Sequence, residues 1–181
     1  PTEAPTPTPM PDIKTVEYDG PIYHIFTHCL IAFPDIAYND TNKGMLDTDC
    51  VTPLEYKRML QQLYDNNFVI IDIHDTFQTV EENGETKVKK KKPTVPEGKK
   101  PLVMSVDDIV YDPKKRGDGM VDKIALDENG KLCAAMVNDA DGAETYYYDN
   151  ELIPILESFI EEHPDFAPFG DRPMLAVTGF A

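Results

Sequence analysis

The stretch PLVMSVDDIVYD, Pro101 to Asp112, constrains the fold of this chain more than any other. Its opening residues are apolar apart from Ser105, so it reads as a buried strand, and it stops abruptly on two adjacent carboxylates, Asp107 and Asp108. Side chains alternate along a strand. Leu102, Met104 and Val106 therefore share one face and Val103, Ser105 and Asp107 the other. The first set suits covering helices, which leaves Asp107 on the inner side. Asp108 comes beside it if the backbone turns where the strand ends.

The elements around this strand follow α/β grammar, parallel strands joined by covering helices. PIYHIF, from Pro21, is a short strand, followed by the loop-like THCLIAFPDIAYND. Thr52 and Glu55 form a capping box, Pro53 occupies the first helical position, and Tyr56, Met59, Leu60, Leu63 and Tyr64 make one apolar stripe that ends at Asn66 and Asn67. FVIIDIHD is a second buried strand, Phe68 to Ile73, with Asp72, His74 and Asp75 at its end. The charged stretch EENGETKVKKKKPTVPEGKK reads as an exposed loop or ragged hairpin. DKIALDENGKLCAAMV is a β-hairpin insertion turning through Asn129-Gly130. A helix over Asn150 to Glu162 buries Leu152, Ile155, Leu156, Phe159 and Ile160, and the strand PMLAVTGFA closes the chain.

Bulk properties narrow the function. A formal charge of -16 over 181 residues argues against nucleic acid, whose phosphates require a basic face. No apolar run is long enough to span a bilayer. Cys29, Cys50 and Cys133 form neither a disulfide framework nor a metal knuckle; three free thiols or a Cys29–Cys50 bridge both remain open. Residues 1–20 open with PTEAPTPTPMPD, an extended Pro/Thr-rich tether of the kind that follows a cleaved signal or lipid-anchor segment, or that links domains. The expected location is extracellular or at the cell surface, with contact to the membrane only through such a removed anchor.

Two neighbouring carboxylates repel each other, and each gains proton affinity unless a cation sits with them. A divalent metal resolves the conflict by taking one as a ligand and leaving the other free as a base. A plain Asp-Asp turn at a strand end is the competing reading, and from the pair alone it is the commoner one.

The order of the segments shifts that balance. KKPLVMSVDDIVYD resembles the first motif of the polysaccharide deacetylases, the NodB-type carbohydrate esterases, in which a strand ends T-F-D-D-G. PIYHIFTHCLI resembles the segment that opens their domain with a Tyr-His-His element. TPLEYKRMLQQLYDNNFVIIDIHD resembles the helix and strand that follow, of the form F-x-x-x-L-x-x-L-x-x-N-G-Y. YDNELIPILESFIEEHPDF and PMLAVTGF resemble the first barrel helix and second barrel strand. The likeness runs in order over residues 21–181. It implies the N-terminal portion of a deformed (β/α) barrel that removes N-acetyl groups from polymeric amino sugars, cell-wall peptidoglycan among them, with a divalent metal, most often zinc. By position, Asp107 corresponds to the catalytic base and Asp108 to the metal-binding aspartate; His28, Asp72 and His74 are expected at the substrate rim, and His24 in packing or at the same rim.

The departures are specific. Ser105, Val106 and Ile109 replace the Thr, Phe and Gly of the motif, and the paired histidines that complete the family's metal site have no counterpart after Asp108, where His163 stands alone at a helix end. The expectation is a fragment inactive by itself. A non-catalytic carbohydrate-binding or cell-wall scaffold domain of the same fold is the alternative, and open sheet edges are expected to favour self-association.

Overall fold

A computed structural model describes residues 13–39, 46 and 48–178. In chain order the strands are β1 (Thr15–Glu17), β2 (Tyr23–Thr27), β3 (Phe68–Ile70), β4 (Phe77–Glu82), β5 (Glu85–Lys90), β6 (Thr94–Pro96), β7 (Lys100–Ile109), β8 (Lys123–Leu126), β9 (Leu132–Val137), β10 (Glu144–Tyr147) and β11 (Met174–Val177); the helices are α1 (Pro34–Ala37), α2 (Pro53–Asp65) and α3 (Leu152–Glu162).

The apolar run singled out above is the central strand, β7. Leu102 faces Tyr23 of β2 across one edge and Ile70 of β3 across the other, while Ser105 faces Phe26 of β2 and Met174 of β11. β3 and β11 therefore follow one another along a single edge of β7, and all three neighbours run parallel to it. Leu102, Met104 and Val106 enter one core with Tyr56 and Leu60 of α2 and with Leu152, Ile155 and Leu156 of α3. Each such fully buried aliphatic side chain contributes roughly 1.5–3 kcal/mol. Val103 points the opposite way, into a smaller cluster with Val69, Ile71 and Val95. The expected facing of β7 and its helical cover are both observed. The α/β class holds; β7 with β2, β3 and β11 forms an open parallel sheet, the other strands lie in separate antiparallel sheets, and no closed barrel occurs among the described residues.

Helix α2 begins as its sequence dictates. The Thr52 hydroxyl accepts the Glu55 N–H at 3.3 Å and the Glu55 carboxylate accepts the Thr52 N–H at 2.8 Å. The insertion between β7 and α3 is a three-stranded antiparallel sheet in the order β10-β9-β8, one strand more than the expected hairpin. It is seated beside the main sheet through Val121 and Ala134, which pack on Ala32 with Phe33 alongside.

Of the two readings left open for the charged stretch after Phe77, the hairpin holds and is regular: β4 pairs with β5, turning on Asn83 and Gly84 at φ 56° and 80°, the left-handed pair that a tight hairpin requires. Two expectations need correction. The strand beginning at Phe68 stops at Ile70, because the Asp72 carboxylate accepts the His74 N–H at 2.8 Å and starts a 3-10 turn over Ile73–Thr76. The tether expected over residues 1–20 gives way to packed structure before Pro21: β1 pairs antiparallel with β6, and the Tyr18 N–H reaches the Pro93 carbonyl at 2.9 Å. The rest of that tether, residues 1–12, lies outside the described residues, as do the last three residues of the closing strand.

Candidate functional site

The Asp pair does not end its strand; it bulges it. Leu175 of β11 is opposite Val106 and Val177 is opposite Ile109, so Asp107 and Asp108 together face Ala176 alone. Two residues against one is the geometry of a β-bulge, a feature concentrated beside active sites because it re-aims a side chain. Asp108 absorbs the extra residue by adopting φ 50°, a left-handed conformation that Asp tolerates better than most side chains at a cost of roughly 1 kcal/mol. The alternation of β7 is broken at that point, and the two carboxylates take different partners.

Asp107 keeps the inner facing expected of it. Its Oδ1 accepts the Ser105 hydroxyl at 3.3 Å, and that hydroxyl lies 3.0 Å from His24 Nε2. Ser105 donates to the carboxylate, so the imidazole N–H is its donor in turn. His24 thus belongs to the surroundings of Asp107, through one intervening hydroxyl.

Asp108 opens into a cleft of about 300 Å³ lined by His28 and Cys29 from the end of β2, Asp49 and Cys50 from the segment before α2, and Lys115, Asp118 and Met120 from the loop after β7. His28 Nε2 lies 3.6 Å from Asp108 Oδ2, too far for a hydrogen bond and close enough for both atoms to face one small ligand. His28 Nδ1 sits 3.1 Å from the Asp49 carbonyl oxygen. A carbonyl only accepts, so Nδ1 carries a proton and Nε2 is the ring nitrogen that faces the cleft. Anchoring the remote ring nitrogen on a carbonyl is the arrangement that orients histidines toward metals. Asp49, Asp108 and Asp118 outnumber Lys115, which gives the cleft an acidic balance favourable to a cation. An oxygen and a nitrogen donor suit a borderline divalent ion such as zinc. Among the described residues no three His, Cys, Asp or Glu side chains stand close enough together to hold one ion.

Asp72 and His74 line a different crevice, together with Arg172 and Met174, where β3 leaves the edge of β7 and β11 takes it over. The His74 imidazole is 2.6 Å from the Asp72 carboxylate, and the His74 N–H and ring together hold that carboxyl below its ordinary range. Neither residue lines the cleft of Asp108 and His28. Of the expected rim residues, only His28 does so.

Behind the cleft lies a buried group that the sequence reading passed over. The Glu151 carboxylate, at the N-cap of α3, accepts the Leu152 N–H at 2.7 Å and the Leu30 N–H at 3.2 Å. Burial pushes its pKa up to about 7, against the pull of those two N–H groups. The same enclosure raises the Cys29 thiol to about 12, with Glu151 adding to the effect, and drives the Tyr111 hydroxyl well above its usual range. An acidic residue at the start of an amphipathic helix was the available signal for Glu151. Nothing local marks Asp49 as the residue whose carbonyl would fix His28. Of the tyrosines at the end of β10, the Tyr147 ring meets Phe33 edge-on at 4.9 Å, while Tyr146 and Tyr148 are exposed and the Tyr148 hydroxyl donates to Asp127 at 2.7 Å.

Comparison of the chain with protein-family models, with curated proteins and with solved structures found no match.

Proposed function

We propose that this chain carries part of the centre of a metal-dependent deacetylase acting on N-acetylated cell-wall or extracellular polysaccharide, in a protein exported to the cell surface. The observation that carries the reading is the bulge: it splits an Asp-Asp pair at the C-terminal end of a central parallel strand, where α/β folds build their sites, and sends one carboxylate into an acidic cleft opposite an oriented histidine. Asp108 Oδ2 and His28 Nε2 are the groups that would hold the ion. Asp107, steadied by Ser105, is outside the lining of that cleft, and this reading gives it the part of general base toward a water at the cleft's margin. A bound divalent cation supplies Lewis acidity toward the amide carbonyl and the negative charge that grows on its oxygen. The deformed barrel of the polysaccharide deacetylases is the architecture this reading assigns to the open parallel sheet.

Zinc titration by calorimetry tests the assignment. Binding is expected in the unsubstituted chain, to fall at least tenfold in Asp108→Asn and to stay unchanged in His74→Ala. Equal affinity in the Asp108→Asn protein removes Asp108 from the metal site. The two-donor limit at the cleft favours a second reading, a carbohydrate-binding or scaffold domain of the same descent. Binding of N-acetylated glycan oligomers with no release of acetate in saturating zinc selects that reading over the first.

A further inference from the structure

Two of the three thiols are brought to one place by elements far apart in the sequence. The segment following β2 and the segment preceding α2 run side by side, tied at one end by His28 Nδ1 on the Asp49 carbonyl, 3.1 Å, and at the other by the Ile31 N–H on the Val51 carbonyl, 3.0 Å. Cys29 and Cys50 lie between those ties. Leu30 and Val51, the next residue in each segment, both turn into the main core. The cysteines turn the other way, and both line the cleft that holds Asp108. Cys133 lies apart in β9, its thiol 3.5 Å from the Ala125 carbonyl.

We infer that Cys29 and Cys50 are a disulfide-forming pair, a modification site that locks the wall of the cleft when the protein meets an oxidant of the disulfide class. The inference stands independently of the deacetylase reading. Both thiols are free in the structure, which is therefore the reduced form. Cys50 is the partly exposed member, and Lys115 across the cleft opposes the effect of burial on its thiol. Cys50 is accordingly the residue that attacks first: its thiolate opens the oxidant's S–S bond, forms a mixed disulfide and releases one thiol. Cys29, after losing its proton, then attacks the Cys50 sulfur, closes the internal S–S bond and expels the second thiol. Two electrons and two protons pass to the oxidant, which ends as two thiols. The bond clamps the Asp49 carbonyl against His28 and so fixes the ring that faces Asp108.

Oxidised glutathione is the probe. After equilibration at pH 8 the chain is alkylated and digested without reductant; trypsin separates the two cysteines by cutting after Lys43. The expected product is a peptide pair joined through Cys29 and Cys50, with Cys133 alkylated, and a melting temperature higher by on the order of 5 °C that falls back on reduction. Cys133→Ser is expected to leave both results intact. Cys29→Ser is expected to stop at a glutathione adduct on Cys50, with no rise in melting temperature. A bridge to Cys133, a lasting glutathione adduct on Cys50 in the unsubstituted chain, or three alkylated thiols overturns the inference.

Discussion

At Asp108 the backbone and the proposed chemistry pull in opposite directions. A left-handed φ of 50° costs a residue bearing a Cβ roughly 1 kcal/mol and costs glycine almost nothing. The contact with His28 returns little, because the Asp108 side chain is 65% exposed and the separation is 3.6 Å. Asp108→Gly is therefore expected to raise stability by up to about 1 kcal/mol in a urea titration while abolishing zinc binding, and a destabilised variant contradicts the strain argument. Gly119 is the opposite case. It combines φ 88° with a backbone in direct contact with α1: an added Cβ would stand 2.7 Å from the Ala37 nitrogen and 2.8 Å from the Phe33 carbonyl oxygen. Neither atom can yield without disturbing the Phe33 N–H bond to the Gly119 carbonyl at 2.8 Å. Gly119→Ala is expected to cost roughly 2–3 kcal/mol, read as a lower denaturation midpoint, and to loosen the insertion sheet where it meets the cleft.

Among the elements, α3 is held at its start by a single buried carboxylate that bridges the helix to the end of β2. Its linkage to pH has a definite sign. The carboxyl of Glu151 titrates near 7 in the fold against an ordinary 4.5, so the folded state prefers it protonated. That contribution is fully present below about 4.5 and is lost as the pH climbs to 7, after which stability from this source is flat. Glu151→Gln keeps an oxygen for the Leu30 and Leu152 N–H groups and cannot ionise. It is expected to match the parent at pH 4.5 and to exceed it at pH 8 by as much as about 3 kcal/mol, measured by urea unfolding at both values. Equal pH dependence in the two proteins places the titration elsewhere. The elements differ sharply in how far their residues announce them. β7, α2 and the Asn129-Gly130 hairpin obey rules local to a few residues, namely an apolar run, a capping box and a turn dipeptide. The β4–β5 hairpin could not be told from a loop because β5 is exposed along its whole length and shows no apolar alternation, which left Asn83-Gly84 as the cue. The bulge is invisible for a different reason. It is a relation between Asp107-Asp108 and Ala176 on β11, and no window on either segment contains both. The candidate site was legible in its carboxylates, then, and illegible in the device that aims one of them. The partnership of His28 with the Asp49 carbonyl is hidden in the same way, since it depends on how two distant segments lie together.

For the molecule as a whole, charge and shape oppose each other. A net charge of -16 repels a second copy at long range. The sheet, however, presents β11 as an edge strand paired only with β7 among the described residues. Met174, Leu175 and Val177 are all exposed on it, Val177 to 75%, and β11 bears neither a lysine nor a bulge facing outward that would discourage pairing. Phe26, 60% exposed on β2 at the opposite margin, extends the apolar area across the sheet. The range of the two effects decides which prevails. Repulsion acts over the Debye length, about 10 Å at 0.1 M salt and about 3 Å at 1 M, whereas strand pairing and apolar contact act only on touching. Self-association is therefore expected to strengthen as salt is added, the reverse of an interface held by ion pairs. Light scattering coupled to size exclusion should give the monomer mass, 20.4 kDa, in dilute buffer and an increasing mass toward 1 M sodium chloride. Leu175→Lys places a charge in the middle of the edge and is expected to hold the chain at the monomer mass throughout. If the mass ignores salt, or if the lysine variant associates as readily as the parent, β11 is not the surface through which copies meet.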